Sequence, residues 1–247
     1  MIHVSTLGKR RTTIAVHRVR RALVLAPCLL VAVAVAQDAP VTAASPLPDV
    51  PEFMDAYYLK TCAACDTLLG AKGEAVDASH AGRGLRFCSS ACESAFGRDP
   101  AAGLARLDAL MIADQRPHYP LTTSLIDDGA LRASPLAFIW GNRLFLARDE
   151  AERRRILADP AAAIRKLDRA VIAAQKPGYG MPNKCPVQGD ILPNESRIDL
   201  VVANRMVRVC CTRCVRVVKA RPYQYLGMVE YANRQAAASR PFGVDEP

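Results

Sequence analysis

The sequence predicts an α+β chain of three tandem small modules behind a signal peptide. Three observations lead there. One segment repeats at a spacing of 60 residues; short β-branched and aromatic runs flank two-residue turns; and cysteines recur at matching places in the first and last copies. A repeat of that size is one supersecondary unit, and it sets the architecture before any single element is assigned.

The head of the chain comes first. Residues 1–36 carry six bases (Lys9, Arg10, Arg11, Arg18, Arg20, Arg21) and no acid, and include the apolar run "ALVLAPCLLVAVAVA" at 22–36. A basic region, a short apolar stretch and the small-x-small end Ala34-Val35-Ala36 describe a secretory signal cut after Ala36. Fifteen apolar residues interrupted by Pro27 are short for the roughly 20 that a membrane span requires. The expectation is therefore export to a periplasmic or extracellular space with no stable membrane insertion, an uncleaved anchor being the alternative. Cys28 leaves with the signal. Residues 37–52, rich in proline and alanine, read as a linker.

Removing the head also changes the charge. The whole chain is +9, but residues 37–247 hold 27 bases against 24 acids, only about +3. No basic patch interleaved with aromatics stands out, so nucleic acid is not an expected partner. Protein partners are not legible.

The repeat is seen in "DPAAGLARLDALMIADQRPHYP" (99–120) and "DPAAAIRKLDRAVIAAQKPGYG" (159–180), which align without gaps. They share Asp99/Asp159, Pro100/Pro160, Leu107/Leu167, Asp108/Asp168, Gln115/Gln175 and Tyr119/Tyr179. A third copy follows at a spacing of 120 that grows to 122. In this register Cys65 pairs with Cys185, Arg83 with Arg143 and Arg205, Cys88 with Cys210, and Cys92 with Cys214. Module one spans 53–116, module two 117–176, module three 177–235, and a disordered tail 236–247.

Each module reads as cysteine knuckle, β-hairpin, short helix and longer helix. In module two "LAFIW" and "RLFLA" flank "GN"; in module three "IDLVV" and "RMVRV" flank "AN". Module one has a looser "SHAGRG" between its strands. Ser90 and Glu93 stand at capping-box spacing, so a helix starts at Ser89 or Ser90. Asp99-Pro100 and Asp159-Pro160 open the longer helices as cap and first turn. Leu104, Leu107 and Met111, and likewise Ile164, Leu167 and Val171, fall on one helical face and are core.

Eight cysteines remain after the signal. In module one, Cys62 and Cys65 come from the "TCAAC" turn, Cys88 from a strand end and Cys92 from the first turn of a helix whose positive end favours thiolates. Two from a knuckle and two from a hairpin–helix junction make the donor set of a closed tetrahedral site. Module three supplies Cys185, Cys210, Cys211 and Cys214. Cys62 meets Pro182 there in the gapless register, and Cys211 replaces Ser89. Adjacent Cys210 and Cys211 diverge in an extended chain, so three thiolates with an open position is the cautious expectation. Module two has no cysteine; Thr122, Leu125, Arg148 and Glu152 align instead, with Arg148 and Glu152 as a surface ion pair. It is expected to be a spacer that binds no metal.

The spacing Cys65-x22-Cys88-x3-Cys92, with its "FC" strand end and following "DP", resembles the TRASH family of small metal-binding domains and the related YHS domains. The third module, "KCPVQGD" to "VRVCCTRC", is similar. The resemblance implies treble-clef-like modules and a role in heavy-metal sensing, trafficking or resistance.

Soft thiolates select zinc, copper(I) or another thiophilic ion, one or two per chain, over magnesium or calcium. The alternative, which the even cysteine count in an exported chain fits, is a disulfide-stapled structural repeat protein. An enzyme is not expected. Cys62-x-x-Cys65 lacks the strand–helix alternation of a thiol oxidoreductase, His80 sits in a turn, and His118 aligns with Gly178.

Overall fold

Each module opens on a tight turn closed by one backbone bridge: Thr61 to Leu68, Thr123 to Ala130, and Lys184 to Ile191. The computed structural model describes residues 55–192 and 197–239. The expected signal, its linker and residues 240–247 of the expected tail lie outside them. Among the described residues the fold is mixed α+β, with six α-helices and three separate two-stranded antiparallel hairpins.

After its turn, each module runs hairpin, short helix, long helix. Module one has β1 (Val76–His80), β2 (Arg83–Phe87), α1 (Ser90–Arg98) and α2 (Pro100–Gln115). Module two has β3 (Leu136–Trp140), β4 (Arg143–Ala147), α3 (Glu150–Ala158) and α4 (Pro160–Gln175). Module three has β5 (Ile198–Val202), β6 (Arg205–Val209), α5 (Thr212–Ala220) and α6 (Pro222–Ala238), which enters the stretch expected to be tail.

All three hairpins keep one register, with His80 opposite Arg83, Trp140 opposite Arg143 and Val202 opposite Arg205. The first turn is therefore the two residues Ala81-Gly82, not the looser loop expected. Ala81 adopts φ 51 to make it, a left-handed backbone that costs a non-glycine residue about 1 kcal/mol. Helix starts follow the expected chemistry. Asp99 accepts from the Ala102 amide and Asp159 from the Ala162 amide, each at 3.0 Å. Ser89 caps α1, so Cys92 rather than Glu93 takes the third helical position.

Modules one and three share one apolar core, in which Leu85, Phe87, Leu107 and Met111 join Val207, Val209, Val218 and Leu226. Module two has its own, built on Phe138, Phe145, Ile156, Leu167 and Val171, with Val201 of module three against it. Phe138 and Phe145 stack at 5.7 Å. Each such side chain contributes about 1.5–3 kcal/mol on burial.

The residues that repeat most faithfully join one module to the next. Gln115, fully buried at the end of α2, donates to the carbonyl of Asn142 and accepts from the amide of Leu144, both in the module-two hairpin (2.9 Å each). Gln175 does the same to Asn204 and Met206 of module three, at 2.8 Å each. Asn142 in turn donates to the Gly84 carbonyl, and Asn204 to that of Leu144. The strand-opening arginines complete the joint. Arg83 donates to Asn142 and Asp108, and Arg143 to Asn204, Asp55 and Asp168.

Gln115→Ala leaves a buried carbonyl, a buried amide and the Tyr58 hydroxyl without their shared partner. The expected loss is about 3 kcal/mol of unfolding free energy, read as a lower urea midpoint; an unchanged midpoint means that water replaces the clasp.

Candidate metal centre

The knuckle of module one is a turn held by its own backbone. The Cys62 amide donates to the Thr67 carbonyl, and the Asp66 amide donates back to Cys62, with Asp66 at φ 56. Arg106 of α2 grips both Asp66 carboxylate oxygens (2.7 and 2.6 Å) and the Ala63 carbonyl, so the long helix fixes the turn in place. Across from it, β2 ends at Phe87 and Cys88 follows; Cys92 lies one helical turn on.

These four cysteines come together. Their Sγ atoms all lie within 4.8 Å of one another. Cys65, Cys88 and Cys92 form a triangle with edges of 3.6, 3.5 and 3.6 Å. A disulfide needs about 2.05 Å, and all eight described cysteines are free. Four sulfurs bonded at about 2.3 Å to a central zinc stand about 3.8 Å apart, so the spacing suits a shared ion. Cys62 and Cys88 are buried, Cys92 is half-buried and Cys65 is exposed.

Electrostatics favour a cation there. The Thr67 hydroxyl and amide draw the Cys65 thiol down to about 6, while burial, then Cys92 and Cys65, push Cys88 up to about 12. Buried thiols crowded together resist ionising one after another. A central positive charge reverses that, because each thiolate then has a partner. His80 packs its ring 5.0 Å from Phe96 and belongs to no such group.

Module three assembles three. Cys185, Cys210 and Cys214 lie mutually within 4.8 Å. Cys211 stands outside that group, yet its Sγ is 3.7 Å from Cys210 and 3.6 Å from Cys214. Here the gapless alignment fails. The Cys185 amide donates to Asp190 and the Gly189 amide to Cys185, reproducing the hydrogen bonds of Cys62 with Thr67 and Asp66. Cys185 is thus the counterpart of Cys62, not of Cys65. The Cys65 place belongs to Gln188, whose Oε1 accepts from the Cys210 thiol at 3.0 Å. The length differences fall on either side of the knuckle, between Tyr179 and Cys185 and in the loop before the hairpin, where no backbone ladder resists them.

The same correction changes module two. Ser124 accepts an amide from Asp128 on its carbonyl and donates its own amide to Gly129, so Ser124 and Asp127, not Thr122 and Leu125, take the two knuckle places. With Arg148 and Glu152 they form a bonded group. Arg148 donates to Glu152 (Nε to Oε2, 2.8 Å) and to Asp127 (2.6 Å), and Ser124 donates to Glu152. The side chain of Glu152 is only 3 % exposed, so the expected surface ion pair is a network whose inner end is buried while Asp127 stays at the surface. A guanidinium tethered to the chain supplies positive charge where modules one and three gather sulfur. Burial raises the Glu152 pKa, but Ser124 and Arg148 outweigh it and hold it below the usual value. Ser124, Asp127 and Gln188 were not legible as site residues. The repeated hydrogen bonds of the turn, anchored on the left-handed residue at 66, 128 or 189, reveal them.

No helix among the described residues is long and apolar enough to cross a membrane. Comparison with protein-family models, with curated proteins and with solved structures finds no match.

Glu152→Ala takes from Ser124 its acceptor and from Arg148 one of two, Asp127 remaining, and is expected to cost about 2 kcal/mol. Because the folded pKa is lowered, this stabilisation is complete above the unfolded-state value and disappears as pH falls through the folded one. Urea titrations of wild type and variant should differ at neutral pH and converge in acid. A gap that persists in strong acid means the loss is one of packing, not charge.

Proposed function

We propose that the protein is an exported, non-catalytic binder of a thiophilic ion such as zinc or copper(I), taking up to two per chain, in metal trafficking, buffering or resistance. The observation that carries this is the convergence of Cys62, Cys65, Cys88 and Cys92 on one point, with sulfur–sulfur distances suited to a shared ion and too long for disulfides. The donors are all soft, which favours zinc and copper(I) over oxygen-seeking cations. Export rests on the basic-then-apolar head of the sequence, and heavy-metal handling on the resemblance to TRASH and YHS domains.

The two sites differ in kind. Module one offers four thiolates, a closed set of the structural sort. Module three offers three, with the Gln188 amide in the fourth place, and an amide oxygen is a poor donor to a soft ion. Bound metal contributes its binding free energy to folding, so chelation should loosen module one.

Elemental analysis of protein purified without oxygen, together with a thiol titration, tests the proposal. One or two equivalents of metal are expected, with thiols titrating after chelation. The double change Cys88→Ser, Cys92→Ser should remove the module-one ion and leave module three occupied. Protein isolated from its own compartment with no metal and no titratable thiol defeats the reading in favour of disulfides.

A further inference from the structure

Module three holds two overlapping trios of sulfur. Cys185, Cys210 and Cys214 form one; Cys210, Cys211 and Cys214 form another, with edges of 3.7, 3.6 and 3.5 Å. They share Cys210 and Cys214 and differ in depth. Cys185 is fully buried, whereas Cys211 is half-buried at the surface end of the cluster.

The position of Cys211 is informative. Its counterparts Ser89 and Asp149 cap the short helices of modules one and two, accepting from the amides of Cys92 and Glu152. Cys211 has a sulfur in that place, which faces the Cys214 amide without making a full capping bond. Replacing a capping oxygen costs a helix about 1 kcal/mol. Module three therefore exchanges an oxygen cap for a weaker sulfur one and places a fourth thiol within reach of two ligands. Gln188 meanwhile keeps the cluster from closing as module one does.

We propose that module three is a transfer site, at which a soft three-coordinate ion of the copper(I) class loads onto Cys210, Cys211 and Cys214 and passes inward by exchanging Cys211 for Cys185. This rests on the metal-binding reading above. In the exchange a metal–sulfur bond forms to Cys185 as the one to Cys211 breaks; the Cys185 proton leaves, and the Cys211 thiolate takes one up. Cys210 and Cys214 stay bound throughout, so the ion is never free and its oxidation state does not change. Release is the reverse, with Cys211 presenting the ion to an incoming thiol ligand.

The test follows cuprous ion moving from a coloured chelator to the full-length protein, by stopped flow without oxygen. Cys211→Ser restores the capping residue of module one, so folding is preserved. The variant should keep the wild-type stoichiometry and, within about threefold, its affinity, while loading and release at module three both slow on the order of tenfold. Cys185→Ser should do the opposite: rapid capture survives, and affinity falls about 10–100-fold. Unchanged rates in Cys211→Ser overturn the proposal. So does a large loss of affinity with faster release, which marks Cys211 as an ordinary ligand. If wild-type protein takes up no copper(I) at all, the metal-binding reading itself fails for that ion, a result distinct from either.

Discussion

Three pieces of backbone with no ladder between them must be tied at one point in every module: the knuckle turn, the end of the second strand and the first turn of the short helix. Four side chains meet there, and the module's arrangement depends on what bonds them. In module two the tie is ionic, with Arg148 drawn between Asp127 and Glu152 and Ser124 closing the group. In module one the same four places hold Cys62, Cys65, Cys88 and Cys92. Units of about 60 residues have small cores and gain much from such a staple. One fold thus accepts a cation built into the chain or a set of sulfurs able to collect one.

Between modules the constraint is hydrogen bonding. A hairpin turn buried against a helix leaves amide and carbonyl groups with no water to meet, and each must find a partner. Gln115 and Gln175 satisfy the turns that follow them. The asparagines of those turns reach back to the preceding hairpin. Arg143, with only 2 % of its side chain exposed, is balanced by Asp55 and Asp168 from two modules. The joints between successive modules therefore fall on polar residues, while the apolar stripes of α2 and α4 fill the cores, one of which modules one and three share.

Difference among the copies is where chemistry enters. The shared turn, hairpin and helix pair hold four positions constant, and substitution at those positions, joined in module three by the helix cap, changes the site from four sulfurs, to an ion network, to three sulfurs with a fourth alongside. Module three departs furthest: Cys211 and Arg221 stand at helix starts that sister modules cap with oxygen. Its helices rely more on packing of Val217, Val218, Leu226 and Val229.

Local physics was written in the sequence. Alternation around two-residue turns, Asp-Pro helix starts and the leucine stripes depend on neighbours a few residues away, and they placed the second and third hairpins and the starts of α2 and α4 at their observed bounds. Cys88 and Cys92, one helical turn apart, were legible together for the same reason. Only tertiary structure decided which knuckle residue faces which helix. Cys185 answers to Cys62, and Ser124 and Asp127 answer to Cys62 and Cys65, because hydrogen bonds inside each turn set the register while the segments on either side of it absorb the length differences. It also decided that Glu152 is buried and that Cys211 lies beside two ligands. Burial and the distance between sulfurs are properties of how separate segments pack, and no spacing along the chain encodes them.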